Sequence, residues 1–147
     1  MDATLFLADA AQVSPDGKLH ALGVGWTQTS SPVSAPCAVA FILHVPWDET
    51  NRKIRWTLDL FDADGKPIIV PTGPDQFRPI HVENEIEVGR PPGVKPGSPI
   101  NAPFAVNVTP LQLAPDATFV WVLKIGEKEW RLSFATRPLQ QQPLAPH

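Results

Sequence analysis

The chain has one cysteine, Cys37, in 147 residues. A disulfide framework within one chain is therefore excluded. Its N-terminal stretch, MDATLFLADAAQ, lacks the basic region of a secretory leader, and Asp2 and Asp9 flank its apolar patch. No run approaches the ~18 apolar residues of a spanning helix. These absences lead to the expectation of a protein without a membrane partner. It would be cytoplasmic in the producing cell, with the virion as a second location. Positive charge is also short: 12 Lys and Arg stand against 15 Asp and Glu, for a net charge of −3. A general nucleic-acid binder needs a basic field, so that class of partner is not expected.

Catalytic signatures are missing as well. There is no GxSxG, no Walker loop and no GxGxxG. The histidines, His20, His44, His81 and His147, show no metal-ligand spacing. Asp62-x-Asp64-Gly65 has the start of a calcium loop but not its later ligands, so it reads as a turn. Glu83, Glu85 and Glu87 alternate along one strand face, which fits a solvated sheet edge better than paired catalytic acids. The expectation is a protein that is not an enzyme, with no cofactor and no metal. An enzyme would need His20, His44 and His81 to converge in space with acidic residues.

Eighteen prolines and nine glycines are present, and they fall between apolar runs. Proline is excluded from helix interiors and central strands, so this punctuation suits short strands. Nowhere do apolar residues recur at helical spacing for long. The clearest strand signal is near the C-terminus, residues 117–137. Phe119, Trp121, Leu123 and Ile125 alternate with Val120, Val122 and Lys124. The return arm sets Trp130, Leu132 and Phe134 against Arg131 and Ser133. Period two in both arms, joined by a polar turn, predicts a hairpin.

Upstream, residues 4–13 and 18–27 read as a first hairpin around the Ser14-Pro15-Asp16-Gly17 turn. Gly23 and Gly25 predict a bulge or close backbone approach in its second arm. Residues 28–36 read as loop. Cys37–Val45 is almost wholly apolar, as in a strand covered on both faces or central to its sheet. It is expected to pair with residues 53–61, where Ile54, Trp56, Leu58 and Leu60 alternate with Arg55, Thr57 and Asp59. Residues 68–70 and 77–88 read as further strands, with a bulge at Asn84 and loop at 71–76. Residues 89–99 hold four prolines and three glycines and cannot form a ladder. A strand from residue 100 leads into the last hairpin. The sum is about eight strands, an all-β antiparallel sandwich over residues 1–137. Residues 138–147 form an extended arm with three prolines and no periodicity, suited to lying on a neighbouring subunit.

Two resemblances bear on this reading. Leu111-x-Leu113-Ala114-Pro115-Asp116-Ala117-Thr118-Phe119-x-Trp121 resembles the corner before the penultimate strand of immunoglobulin-like domains. Phe119 departs from it, because a phenylalanine cannot make the tyrosine-corner hydrogen bond. LADAAQV (7–13), DGKLHALGVGW (16–26), LDLFDADGKP (58–67) and FVWVLKIGEKEWRLSFATRP (119–138) are similar to a family of small uncharacterised bacterial and actinobacteriophage proteins. That resemblance implies an immunoglobulin-like sandwich without an assigned activity, and through its phage members a virion accessory role.

The expected function is a structural or interaction module, oligomeric or bound to a protein partner, such as a capsid- or tail-associated subunit. The candidate contact residues are Trp26 and Trp47, Arg90 and Lys95 in the Pro/Gly loop, and Pro138, Gln140, Gln141 and Gln142 in the arm. The alternative is a soluble glycan- or small-molecule-binding module, with Trp26 and Trp47 sharing one site.

Overall fold

A computed structural model describes residues 1–30 and 36–139. The strands, in chain order, are β1 (Asp2–Ala8), β2 (Ala10–Val13), β3 (Leu19–Leu22), β4 (Gln28–Thr29), β5 (Cys37–Val45) and β6 (Lys53–Asp62). They continue with β7 (Ile69–Gly73), β8 (Gln76–Pro79), β9 (His81–Glu87), β10 (Ile100–Val108), β11 (Thr118–Ile125) and β12 (Lys128–Thr136). Among the described residues no helix is long and apolar enough to cross a membrane.

Two sheets make the sandwich. One has the order β1-β5-β10, the other β4-β12-β11-β6-β9. Lettered in chain order, β1, β5 and β10 stand as A, B and E, and β6, β11 and β12 as C, F and G. That is the division of an immunoglobulin-like sandwich. The facing sides build the core. Val39, Phe41, Leu43 and Val45 come from one sheet, and Trp56, Leu58, Leu60, Trp121 and Leu123 from the other. Phe41 meets Trp56 edge-on at 5.1 Å and stacks on Phe104 at 5.1 Å. Phe119 stacks on Phe134 at 5.5 Å.

The last hairpin forms as expected, from Thr118↔Ala135 to Ile125↔Lys128. Its loop is only Gly126 and Glu127, and Gly126 takes a φ of 58°. A positive φ at the first loop residue gives the turn a twist that matches the strands.

The apolar run of β5 is explained twice over. β5 is the central strand of its sheet, between β1 and β10. Its outward Ala38 and Ala40 are also covered, by Ala11, Leu19 and Ala21 of the β2–β3 hairpin, so this half of the outward face is dry too, while Ile42 and His44 beyond it are half-buried.

Several pairings differ from those the sequence suggests. Cys37–Val45 does not pair with residues 53–61, because β5 and β6 lie in opposite sheets. The link between them holds Pro46, a 3-10 turn over Trp47–Glu49, and Asn51 at a φ of 59°. Asn51 N–H is bound to Val88 O at 2.8 Å. This link carries the chain across the sandwich instead of turning it back. The first hairpin is also shorter than expected. The strand breaks at Asp9, so that β1 joins β5 and only β2 and β3 pair. Asp9 N–H bonds Leu22 O, and Gly25 N–H bonds Leu7 O, both at 2.9 Å, which is the close approach that Gly23 and Gly25 foretold. Gln28 and Thr29, expected in a loop, form β4 and run parallel to β12.

Residues 77–88 are two strands, not one. They part at Ile80, whose N–H bonds Ile68 O and whose carbonyl accepts from Leu60 N–H. Asn84 makes no bulge, since β9 pairs with β6 in unbroken register from His81 to Glu87. Asp62 does cap a turn. Its Oδ1 accepts from the N–H groups of Asp64 and Lys66, each at 2.9 Å.

The corner at residues 111–118 is fastened without a tyrosine. Thr136, on β12, is buried. Its Oγ1 donates to Ala114 O at 2.6 Å and accepts from Ala117 N–H at 3.1 Å. Asp116 N–H bonds Arg137 O at 3.2 Å from the same side.

Candidate functional site

Trp47 is half-buried, and one face of its ring is already occupied. The Arg90 guanidinium lies 3.8 Å from the ring centroid. Arg90 Nε donates to Thr50 Oγ1 at 2.7 Å, and its Nη2 donates to Trp47 O at 2.8 Å. These two sequence candidates therefore do meet, as a latch between the Pro/Gly loop and the β5–β6 link. Trp26 packs edge-on to Phe134 at 5.9 Å, with its indole N–H buried and without an acceptor. That is a core position.

The two tryptophans stand at opposite ends of the sandwich. Trp47 borders Glu49, which pairs with the Met1 amine at 3.2 Å. Met1 O in turn accepts from Lys128 Nζ, at the start of β12. Trp26 lies by Phe134, six residues on, or about 20 Å along the strand. The structure does not bring Trp26 and Trp47 into one site. Lys95 and Pro138 are exposed, whereas Gln140, Gln141 and Gln142 lie outside the described residues.

Three of the histidines occupy three separate surfaces, and His147 lies outside the described residues. His20, on β3, lies 3.2 Å from Ser14 Oγ. His44 bridges its sheet on the outside, donating from Nδ1 to Asn101 Oδ1 and meeting Thr4 Oγ1 at Nε2, each at 2.9 Å. His81 lies on the outer face of the other sheet, between Asp59 and Glu83. Among the described residues no group of three or more His, Cys, Asp or Glu side chains could hold a metal ion.

Glu83 also binds Arg55 at 2.5 Å, and Glu85 pairs with Lys53 at 3.7 Å. β9 is the edge strand of the five-stranded sheet, so these acids line an edge, as their alternation implied. The hydrogen bond to Asp59, then that to Glu83, raises the His81 pKa above its ordinary 6.5. The protonated form thus favours the folded state. Its contribution is complete below the ordinary value and is lost as pH rises through the higher folded one. The His81 side chain is 39% exposed, so solvent screening holds the gain to about 0.5 kcal/mol at most. In urea unfolding, the stability gap between wild type and His81→Gln should be wide below the ordinary imidazole value of 6.5 and should close as pH rises above it through the higher folded one. A gap independent of pH would contradict this assignment.

A depression of about 540 Å³ lies over Val120 and Val122 on the outer face of the same sheet. Asp62, Lys124, Glu129 and Arg131 border it, and Arg131 is paired with Glu129 at 3.1 Å. Its rim has charges of both signs, so it offers no single-sign field to a charged ligand.

The most distinctive surface is one that the sequence does not single out. β7 and β8 form a two-stranded hairpin that springs from the edge of β6 at Leu60. Ile69 pairs with Pro79, and Pro71 with Phe77. Residues paired across strands, and residues two apart along a strand, share a face. Ile69, Pro71, Phe77 and Pro79 therefore form one stripe. All four are exposed, Ile69 by 59% and Phe77 by 67%. Val70, on the other face, packs against the core. The hairpin is thus anchored on one side and apolar and exposed on the other. The signal in the sequence is the alternation of Ile69 and Pro71, then Phe77 and Pro79, on either side of Pro74-Asp75. Two prolines in four apolar positions obscure it, because proline argues against a strand.

Comparison with curated proteins and with solved structures finds no match to the chain. A family model matches residues 3–135, which span both sheets. The chain therefore belongs to DUF6941, a family of unknown function.

Proposed function

We propose that this chain is a non-enzymatic interaction module, a sandwich scaffold that presents the β7–β8 hairpin to a protein partner. The observation that carries this reading is the stripe of Ile69, Pro71, Phe77 and Pro79, aligned on one face and all exposed. Single apolar residues on a surface need no explanation, but four aligned on one projecting hairpin mark a contact surface. The sandwich beneath has a continuous buried core, which supports the hairpin from one side through Val70. The setting we propose is a phage particle, with this chain as a capsid- or tail-associated subunit. It rests on the resemblance of residues 3–138 to phage proteins.

The test is quantitative mass spectrometry of purified particles from a host that makes this chain. The expected result is a fixed number of copies per particle, lost or much reduced for Phe77→Asp. Particles free of the chain would end the virion setting.

A further inference from the structure

We infer that the open edge of β9 takes an extended segment of another protein as a further strand, one in which Lys or Arg alternates with apolar residues. This surface is separate from the β7–β8 stripe and does not rest on it. Three observations lead to it.

The first is a row of unused backbone groups. β9 pairs with β6 alone and ends its sheet. Leu60 N–H bonds Ile80 O at 3.3 Å, and the register that runs from Lys53↔Glu87 to Asp59↔His81 sets these two residues opposite each other. Bonded and non-bonded pairs alternate along an antiparallel ladder. Val82, Asn84 and Ile86 therefore bond to β6, whereas Glu83 and Glu85 turn their N–H and C=O groups outwards. Those groups have no hydrogen-bond partner among the described residues.

The second is that the other edges of the two sheets are closed. β4 is two residues long. β10 carries Pro103, and a proline in an edge strand turns its missing N–H to the open side. β1 is covered where Leu7 O accepts from Gly25 N–H. β9 runs for seven residues with no proline, and its register with β6 has no bulge. Charge is what guards it.

The third is what the two faces of β9 select. Glu83, Glu85 and Glu87 share the outer face, and the strand has no Lys or Arg. Arg55 and Lys53, which pair with Glu83 and Glu85, stand on β6, away from the opening. A second β9 would set Glu against Glu, and like charges directly opposite destabilise a strand pair. The net charge of −3 likewise opposes another copy and favours a cationic partner. Lys or Arg of an added strand would stand beside these acids. On the inner face Val82 and Ile86 are half-buried at the margin of the core, and apolar residues of the added strand would cover them. Main-chain bonds give such an addition its affinity, and the alternating side chains give it selectivity.

The probe is a short peptide in which Lys alternates with Val, titrated into the full chain at low salt. Calorimetry reads binding, and amide exchange reads its place. The N–H groups of Glu83 and Glu85 should exchange at least about tenfold more slowly with peptide bound. Glu85→Pro removes an outward N–H without touching the β6 ladder, so binding should weaken at least about tenfold while the melting temperature holds. Glu85→Lys keeps the backbone and should weaken binding through repulsion; it decides the matter if Glu85→Pro proves less stable. Asp16→Lys makes the same charge change in the β2–β3 turn and should alter binding by less than about twofold. No binding up to about 1 mM peptide would overturn the inference. So would binding that leaves exchange at Glu83 and Glu85 unchanged, or equal binding by a peptide with the same Lys and Val in two blocks. Glu85 variants that fold and bind as well as wild type would overturn it too.

Discussion

Replacing Trp121 with alanine should lower the unfolding free energy by about 3–5 kcal/mol. Trp121 is 1% exposed at the centre of β11, and its register neighbours are Leu60 on β6 and Leu132 on β12. Three strands of one sheet thus meet around this one indole, and the opposite sheet closes over it. Removing the ring leaves a cavity that the ladders on both sides prevent from collapsing. Domains of this size have about 5–15 kcal/mol in total, so the variant should be close to unfolding at physiological temperature. Trp121→Phe should cost much less, about 1–2 kcal/mol. It keeps most of the volume and removes an indole N–H that is buried with no acceptor. Urea denaturation monitored by far-UV circular dichroism measures both variants. A loss below about 1.5 kcal/mol for Trp121→Ala would show that the core relaxes and that this packing account is wrong.

Thr136→Val should cost about 2 kcal/mol, although it preserves the shape of the side chain. The hydroxyl stands between Ala114 O and Ala117 N–H, both on the turn that feeds β11. Valine would remove the bond to the carbonyl of the exposed Ala114 and leave the N–H of the half-buried Ala117 without this partner, and the second loss carries most of the cost. Thr136→Ser keeps the oxygen and loses only a methyl group, so about 1 kcal/mol is expected. The contrast between the two separates hydrogen bonding from packing. Equal losses would mean that the hydroxyl does not fasten the corner. Amide exchange gives an independent reading: Ala117 N–H should exchange faster in Thr136→Val and stay protected in Thr136→Ser.

The Thr136 corner also shows how far the sequence can be read. The likeness of residues 111–121 to an immunoglobulin-like corner points to the right fold, and the missing hydroxyl of Phe119 is visible at once. The group that replaces it is not visible. It comes from Thr136 on β12, the strand after the one that holds Phe119, and no local sequence pattern links the two positions. The β7–β8 stripe is hidden for a different reason. Its prolines speak against strands, and a short hairpin that leaves a sheet edge and returns is too brief to establish a periodicity.

Alternation along each strand was enough to define the last hairpin and its buried aromatic face. A side chain's face depends only on the local pleat, so period two can be read within a single strand. The near-continuous apolar run of Cys37–Val45 was enough, too, for the burial of most of that strand, because such a run suits a strand covered on both faces. Which strands pair is a different kind of question. The Cys37–Val45 run and residues 53–61 are adjacent and of similar length, and as a pattern they were a hairpin. Only the folded chain placed them in opposite sheets, since the choice depends on the path of the Pro46–Asn51 link and on what covers Ala38 and Ala40. The same holds for the surface. Composition could say that Trp26 and Trp47 are large and aromatic, but not that one is packed on Phe134 and the other capped by Arg90. Pairing and exposure arise from contacts between residues far apart in the chain, and those contacts are decided by the free energy of the whole fold.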